Sequence, residues 1–140
     1  MILDPIWVDK PEVLAIHDRQ VAEHGGSSGV RDESLLESAL ARARNLLAYS
    51  EEDVSLYRLA AAYAKGISSN HPFVDGNKRT ALVVSFLFLA LNGIQVKASR
   101  EESYPIFLGL ASGTVDEKDL AVWFEGHVVS RQPPLPATLQ

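Results

Sequence analysis

The run from Ala81 to Leu91 constrains this chain more than any other stretch, because Ser85 is its only polar residue. A helix apolar on nearly every side belongs in the middle of its domain, since any face left in water would forgo burial. The run is far shorter than the roughly 20 residues needed to span a bilayer. Lys78 and Arg79 also stand directly before it. It therefore reads as a core helix and not a membrane span, with Asn92 and Gly93 as its C-terminal stop. At 140 residues the chain supports one hydrophobic core around that helix and is too short for two ordinary domains.

The neighbouring segments also carry helical signals. Asp9-Lys10-Pro11-Glu12 reads as a capping box with proline in the first turn, opening a helix that Gly25 and Gly26 end, with Val13, Leu14, Ile16 and Val21 as its stripe. Asp32 is placed to cap a second helix carrying Leu35, Leu36, Ala39, Leu40, Ala43 and Leu47. Ser50, with Asp53 three residues on, predicts the start of a third, running through Leu59 and Tyr63 to Ile67 and stopped by Pro72. Ser99 and Glu102 repeat the capping pattern, but Pro105 then falls inside the helix, so either it kinks or Ser103 is the cap. Asp116 starts a last helix through Leu120, Trp123, Phe124 and Val128. Neither a repeat nor strand alternation is evident. The expectation is an all-α single domain over residues 1–131, with 132–140, which holds three prolines, as a flexible tail.

The net charge of −5 opposes non-specific attraction to nucleic acid or anionic membrane, while leaving room for a local basic pocket. The absence of cysteine excludes disulfides and thiolate metal sites and fits a reducing compartment. With no basic segment followed by an apolar run at the N-terminus, a cytoplasmic protein is expected.

The chemistry concentrates in His71-Pro72-Phe73-Val74-Asp75-Gly76-Asn77-Lys78-Arg79-Thr80-Ala81, which packs a base, an acid, an amide and two cations at a helix start. First-turn N–H groups lack intrahelical partners and the helix dipole is positive there, so the position favours an anion such as phosphate. Gly76 allows close backbone approach. Lys78 and Arg79 oppose the dipole unless something negative lies between them. Asp75 beside phosphates could hold Mg²⁺, and His71 could take a proton from an attacking hydroxyl. Phe73, between polar neighbours, reads as a plug that holds the loop. Singly, each polar residue could be a cap or a solvated charge; the ordered mixture is what a plain cap does not require.

This segment resembles the signature of the Fic/Doc family, His-Pro-Phe-x-Asp-Gly-Asn-Lys-Arg. The resemblance extends to Gly29-Val30-Arg31-Asp32, Leu36-Glu37-Ser38-Ala39-Leu40, Asn92-Gly93 and Ala111-Ser112-Gly113. It implies a six-helix fold, ATP with Mg²⁺ at the signature loop, and modification of a target hydroxyl with His71 as base. By the same resemblance Asp75 is the metal ligand, Asn77 and the Gly76 backbone bind phosphate, and Lys78 and Arg79 neutralise phosphate charge. Nucleotidyl-transferring members carry glycine and arginine where this chain has Lys78 and Leu82, and that departure resembles the Doc (death-on-curing) branch. For that branch the resemblance implies a toxin of a type II toxin-antitoxin pair, a kinase acting on a threonine of elongation factor Tu and so arresting translation. Nucleotidyl transfer and a catalytically silent antitoxin-binding member stay open as alternatives. The family's self-inhibitory motif is missing, Ala121 standing before Glu125-Gly126. Control by an antitoxin whose C-terminal segment docks as an amphipathic helix is expected.

The remaining histidines read as surface groups. His17-Asp18 resembles the dipeptide of HD phosphohydrolases but lacks the upstream histidine of that site, leaving a surface pair on the first helix. His24 and His127 have no metal-ligand spacing and read as solvated. Two readings of Arg31 stand side by side: an ion pair with Asp32 or Glu37, or an accessory contact to the nucleotide.

Overall fold

The computed structural model describes residues 4–132. In chain order these form α1 (Lys10–His24), α2 (Glu33–Tyr49), α3 (Leu56–Asn70), α4 (Asn77–Leu91), β1 (Ile94–Val96), α5 (Arg100–Ser112), α6 (Glu117–Gly126) and β2 (Val128–Arg131). The fold is all-α, as expected, with one small addition: β1 and β2 pair antiparallel, Ile94 opposite Arg131 and Gln95 opposite Ser130. Val128, expected in the last helix, lies in β2. Apart from Gln132, the expected tail lies outside the described residues.

α3 is the most enclosed element, packed against α2, α4, α5 and α6. Its small side chains explain the close approach. Ala60, Ala61, Ala62 and Ala64 are fully buried, and a Cβ added at Gly66 would lie 2.8 Å from the Ala39 carbonyl oxygen of α2. α4 lies beside α3 and buries Thr80, Ala81, Val84, Ser85, Phe88 and Leu89, while Leu82, Val83, Phe86 and Leu87 are only half-buried. Ser85, the lone polar residue of the apolar run, satisfies itself by donating to the Leu82 carbonyl oxygen at 2.9 Å. Phe86, Phe107, Trp123 and Phe124 join α4, α5 and α6 through edge and tilted ring contacts. Of these, Phe107 and Phe124 are buried and contribute roughly 1.5–3 kcal/mol each.

Several expected caps are rearranged. Asp9 occupies the N-cap of α1 without a side-chain cap bond; its carboxylate instead accepts from Arg44 of α2 at 2.6 Å. Ser50 closes α2, and Ser55 is the cap of α3, accepting the Arg58 N–H at 3.2 Å. The Ser50/Asp53 pattern was the better match to a capping box, because Ser55 has Arg58 and not an acid three residues on. Asp32 caps α2 through the Leu35 N–H at 3.0 Å. At α5 both arms of the Ser99/Glu102 box form, so Ser103 is no cap; it is buried, and the helix continues through Pro105.

Candidate functional site

The loop between α3 and α4 is shaped by unusual backbone at both ends. His71 closes α3 in the left-handed region, φ 52° and ψ 53°, a conformation costing a non-glycine residue roughly 1–2 kcal/mol. Arg31 holds it there: its Nε donates to the His71 carbonyl oxygen at 2.7 Å and its Nη2 to that of Asn70 at 3.0 Å. A guanidinium on the last carbonyls of a helix also complements the dipole. Arg31 thus forms neither of the expected ion pairs among the described residues and is engaged with backbone below the loop. The strand-like segment around it is laced to the loop as well. The Arg31 and Asp32 N–H groups donate to the Pro72 carbonyl oxygen at 2.7 and 3.2 Å, and the Val74 N–H donates to that of Gly29 at 3.1 Å.

Phe73 is fully buried, and Asn77 clamps it. The Asn77 Oδ1 accepts the Phe73 N–H at 3.0 Å, while its Nδ2 donates to the Phe73 carbonyl oxygen at 3.0 Å and to His71 Nδ1 at 3.1 Å. The side chain of Asn77 is therefore committed within the loop and buried, so what it offers a phosphate is its main-chain N–H. The contact also sets the resting tautomer of His71. An amide N–H requires a lone pair on Nδ1, which puts the proton of the neutral ring on Nε2. For either ring nitrogen to accept a proton, the Asn77 contact must first be released.

Gly76 is the N-cap of α4, left-handed at φ 76°, and α4 has no side-chain cap. The main-chain N–H groups of Asn77, Lys78 and Arg79 have no partner among the described residues. Lys78 and Arg79 are exposed and form no ion pair among those residues. Asp75 lies at the mouth of this turn, its Oδ1 accepting the Gly76 N–H at 3.1 Å and its Oδ2 the Ser27 N–H at 3.3 Å. The glycine loop approaches so closely that a Cβ at Gly26 would lie 2.8 Å from Asp75 Oδ2.

These groups line one cleft of about 560 Å³. His24, His71, Asp75 and the first turn of α4 line it together with the apolar Leu82, Phe86, Phe107 and Leu108 and with Arg100, Ser103 and Tyr104 of α5. Asp75 is the only carboxylate among the lining residues, and no group of three or more His, Asp or Glu among the described residues could hold a metal. A lone carboxylate beside open N–H groups does not suit a protein-only metal site. It does fit a hard cation that brings phosphate oxygens and water as its other ligands.

Two histidines depart from the surface roles expected of them. His17 is 2% exposed, stacked on Phe73 with ring centroids 3.8 Å apart, and its Nε2 donates to the Asp75 carbonyl oxygen at 2.8 Å. His127 packs on Trp123, with Nδ1 donating to the Trp123 carbonyl oxygen at 2.8 Å and Nε2 facing Glu102 at 3.1 Å. The signal for His17 was present in the spacing: Val13, His17, Gln20 and His24 follow one another at helical intervals. The first three are the buried residues of α1.

A helical core that presents an uncapped, cation-bearing helix start to a cleft beside a histidine and an aspartate is the arrangement the signature implied. The chain belongs to the Fic/Doc family, whose model, described as "Fic/DOC family", matches residues 7–89. Within the family it stands on the Doc branch. It is 34% identical over 114 residues to "Protein kinase doc" of Escherichia phage P1, covering 81% of this chain and 89% of that protein. It is 40% identical over 92 residues to "Toxin Doc" of Mycolicibacterium smegmatis, covering 66% and 68%. Among the described residues no helix is long and apolar enough to cross a membrane.

Proposed function

We propose that this chain is a Doc-type toxin acting as a protein kinase, which transfers the terminal phosphate of ATP to a threonine or serine hydroxyl of another protein. The observation that most supports this is the meeting in one cleft of three open α4 N–H groups with Lys78, Arg79, Asp75 and His71. The target oxygen forms a bond to the terminal phosphorus as the bond from phosphorus to the bridging oxygen breaks. The hydroxyl proton passes to His71 once Asn77 lets go of the ring, and ADP leaves with the bonding electron pair. The N–H groups and the two cations oppose the charge that gathers on the phosphate oxygens. Mg²⁺, bound through Asp75 and phosphate oxygens, would neutralise more of it.

Transfer of the terminal phosphate, and not of a nucleotidyl group, is favoured by Leu82. It lines the cleft at the position where nucleotidyl-transferring members carry arginine, so that wall lacks a second bidentate phosphate grip. The names of the two relatives, a protein kinase and a toxin, support the kinase and toxin readings. The proposed target is elongation factor Tu, reached in the cytoplasm. The proposed partner is an antitoxin whose C-terminal amphipathic helix lies against the apolar side chains of the cleft, Leu82, Phe86, Phe107 and Leu108.

Labelled ATP tests the reading. With purified elongation factor Tu, label on the terminal phosphate is expected to reach the target and label on the innermost phosphate is not. The reverse result assigns nucleotidyl transfer, and neither label moving with folded protein assigns a binding-only member.

A further inference from the structure

α1 is a helix whose inward face is partly polar: Val13, His17 and Gln20 are its buried residues. A buried imidazole with one nitrogen on a backbone carbonyl is a fixed strut, because the donor cannot turn away without leaving both groups unpaired. His17 is held on two sides. Its ring lies nearly parallel to Phe73, with an interplanar angle of 7°, and its Nε2 reaches the Asp75 carbonyl oxygen. That oxygen belongs to the peptide whose other end is the Gly76 N–H, itself bonded to the Asp75 carboxylate. The α1–α2 loop grips the same residue a second time, through the Ser27 N–H on Asp75 Oδ2.

We infer that His17 is a positioning residue for the phosphate and metal seat: by donating to the Asp75 carbonyl it fixes the Asp75–Gly76 peptide. It thereby aims the Asp75 carboxylate and the first turn of α4 into the cleft. Phe73 and Asn77 hold the loop from the α3–α4 side, and His17 holds it from α1. The role requires a proton on Nε2, since a carbonyl oxygen can only accept. Removing such an outer support typically weakens binding at the supported ligand by about 10- to 100-fold. The inference rests on the reading of Asp75 and Gly76 given under the proposed function.

The test uses the full chain carrying His71→Ala, so that turnover plays no part in any readout. Nuclear magnetic resonance of that parent is expected to show a proton on His17 Nε2, the one donated to the Asp75 carbonyl oxygen. His17→Phe keeps a flat ring against Phe73 and removes the donor. It is expected to shift the Gly76 and Asn77 amide resonances and to weaken Mg²⁺–ATP binding in calorimetry by about 10- to 100-fold. His17→Gln carries an N–H at the same number of bonds from the backbone and is expected to recover most of that loss. A folded His17→Phe protein with unmoved Gly76 resonance and parental affinity would overturn the inference, as would a His17 ring with no proton on Nε2. Should His17→Phe not fold, the parent's Nε2 proton and the affinity of His17→Gln decide the matter. A parent that binds no Mg²⁺–ATP defeats the nucleotide reading alone, because the Nε2 proton and the Gly76 resonance still judge His17.

Discussion

Two helices open on the same cleft, each with a cation in its first turn, Lys78 and Arg79 in α4 and Arg100 in α5, but only α5 is capped. α5 begins with Ser99 and Glu102 bonded reciprocally to each other's backbone, and Glu101 adds a second acid to its first turn. α4 begins with a left-handed glycine, no side-chain cap, no acid and two cations. A cap is worth about 1 kcal/mol, and charges of the unfavourable sign at a helix end cost roughly 0.3–1 kcal/mol each. α5 is finished for stability, whereas α4 is left open at the end where the cleft holds His71 and Asp75. Under the proposed function this difference has a use, because an anion bound at α4 would complete the structure there.

The comparison breaks most visibly at His71. His71→Ala is expected to leave the fold intact and to lower transfer by about 10²- to 10⁴-fold, the usual worth of a positioned base. Relief of growth arrest in cells and a labelled-ATP assay check it, and a fully active variant would remove His71 from the chemistry. The next effect concerns the anion itself. Mg²⁺–ATP at about a hundred times its dissociation constant stabilises a protein by about 2.7 kcal/mol, seen as a rise in melting temperature. Lys78→Ala with Arg79→Ala is expected to abolish most of that rise, and Ser99→Ala to preserve it. Equal loss in both variants would mean that the two ends are not functionally distinct.

On the protein alone the order reverses. Ser99→Ala is expected to lower stability by about 1 kcal/mol in denaturant unfolding. The smallest effect is a dependence on pH. The Ser99 N–H holds the Glu102 carboxyl below its ordinary range, with the Ser99 hydroxyl and His127 adding to the effect. A lowered folded value means that the contribution is complete above the ordinary glutamate pKa of about 4.3. It is lost as the pH falls through the lower folded value. Glu102→Gln is expected to flatten that acid limb of the stability curve, and an unchanged limb would show the box to be energetically idle.

The open end of α4 was legible in the sequence because its groups are contiguous, from His71 to Arg79, and the apolar run behind them identifies the helix they start. The supports were harder to see because their partners are remote. Arg31 meets carbonyls 39 and 40 residues away, and charge-pair reasoning looks for carboxylates. His17 reads as a surface residue when paired with Asp18, whereas its spacing from Val13 and Gln20 matches the face that α1 buries. β1 and β2 span three and four residues, too few for alternation to stand out. Asn77 opens α4 and lines the cleft, but its clamp on Phe73 depends on a loop geometry that the residue order does not reveal.

Gly66 carries a practical consequence. A methyl group there would press on the carbonyl oxygen and Cα of Ala39 at 2.8 and 3.0 Å, and backbone, unlike a side chain, has no rotamer to yield. α2 must back away from α3 as a unit, while each residue of the cleft keeps its identity. Gly66→Ala is therefore expected to behave as a heat-sensitive allele. Cultures carrying the uncovered toxin gene would grow at elevated temperature, where the loosened scaffold melts, and stop dividing after a downshift. Growth curves across a temperature series would establish it, and arrest at every temperature would show that the α2–α3 seam tolerates the extra carbon. Under the proposed toxin function, such an allele would let the gene be propagated without an antitoxin and switched on by cooling.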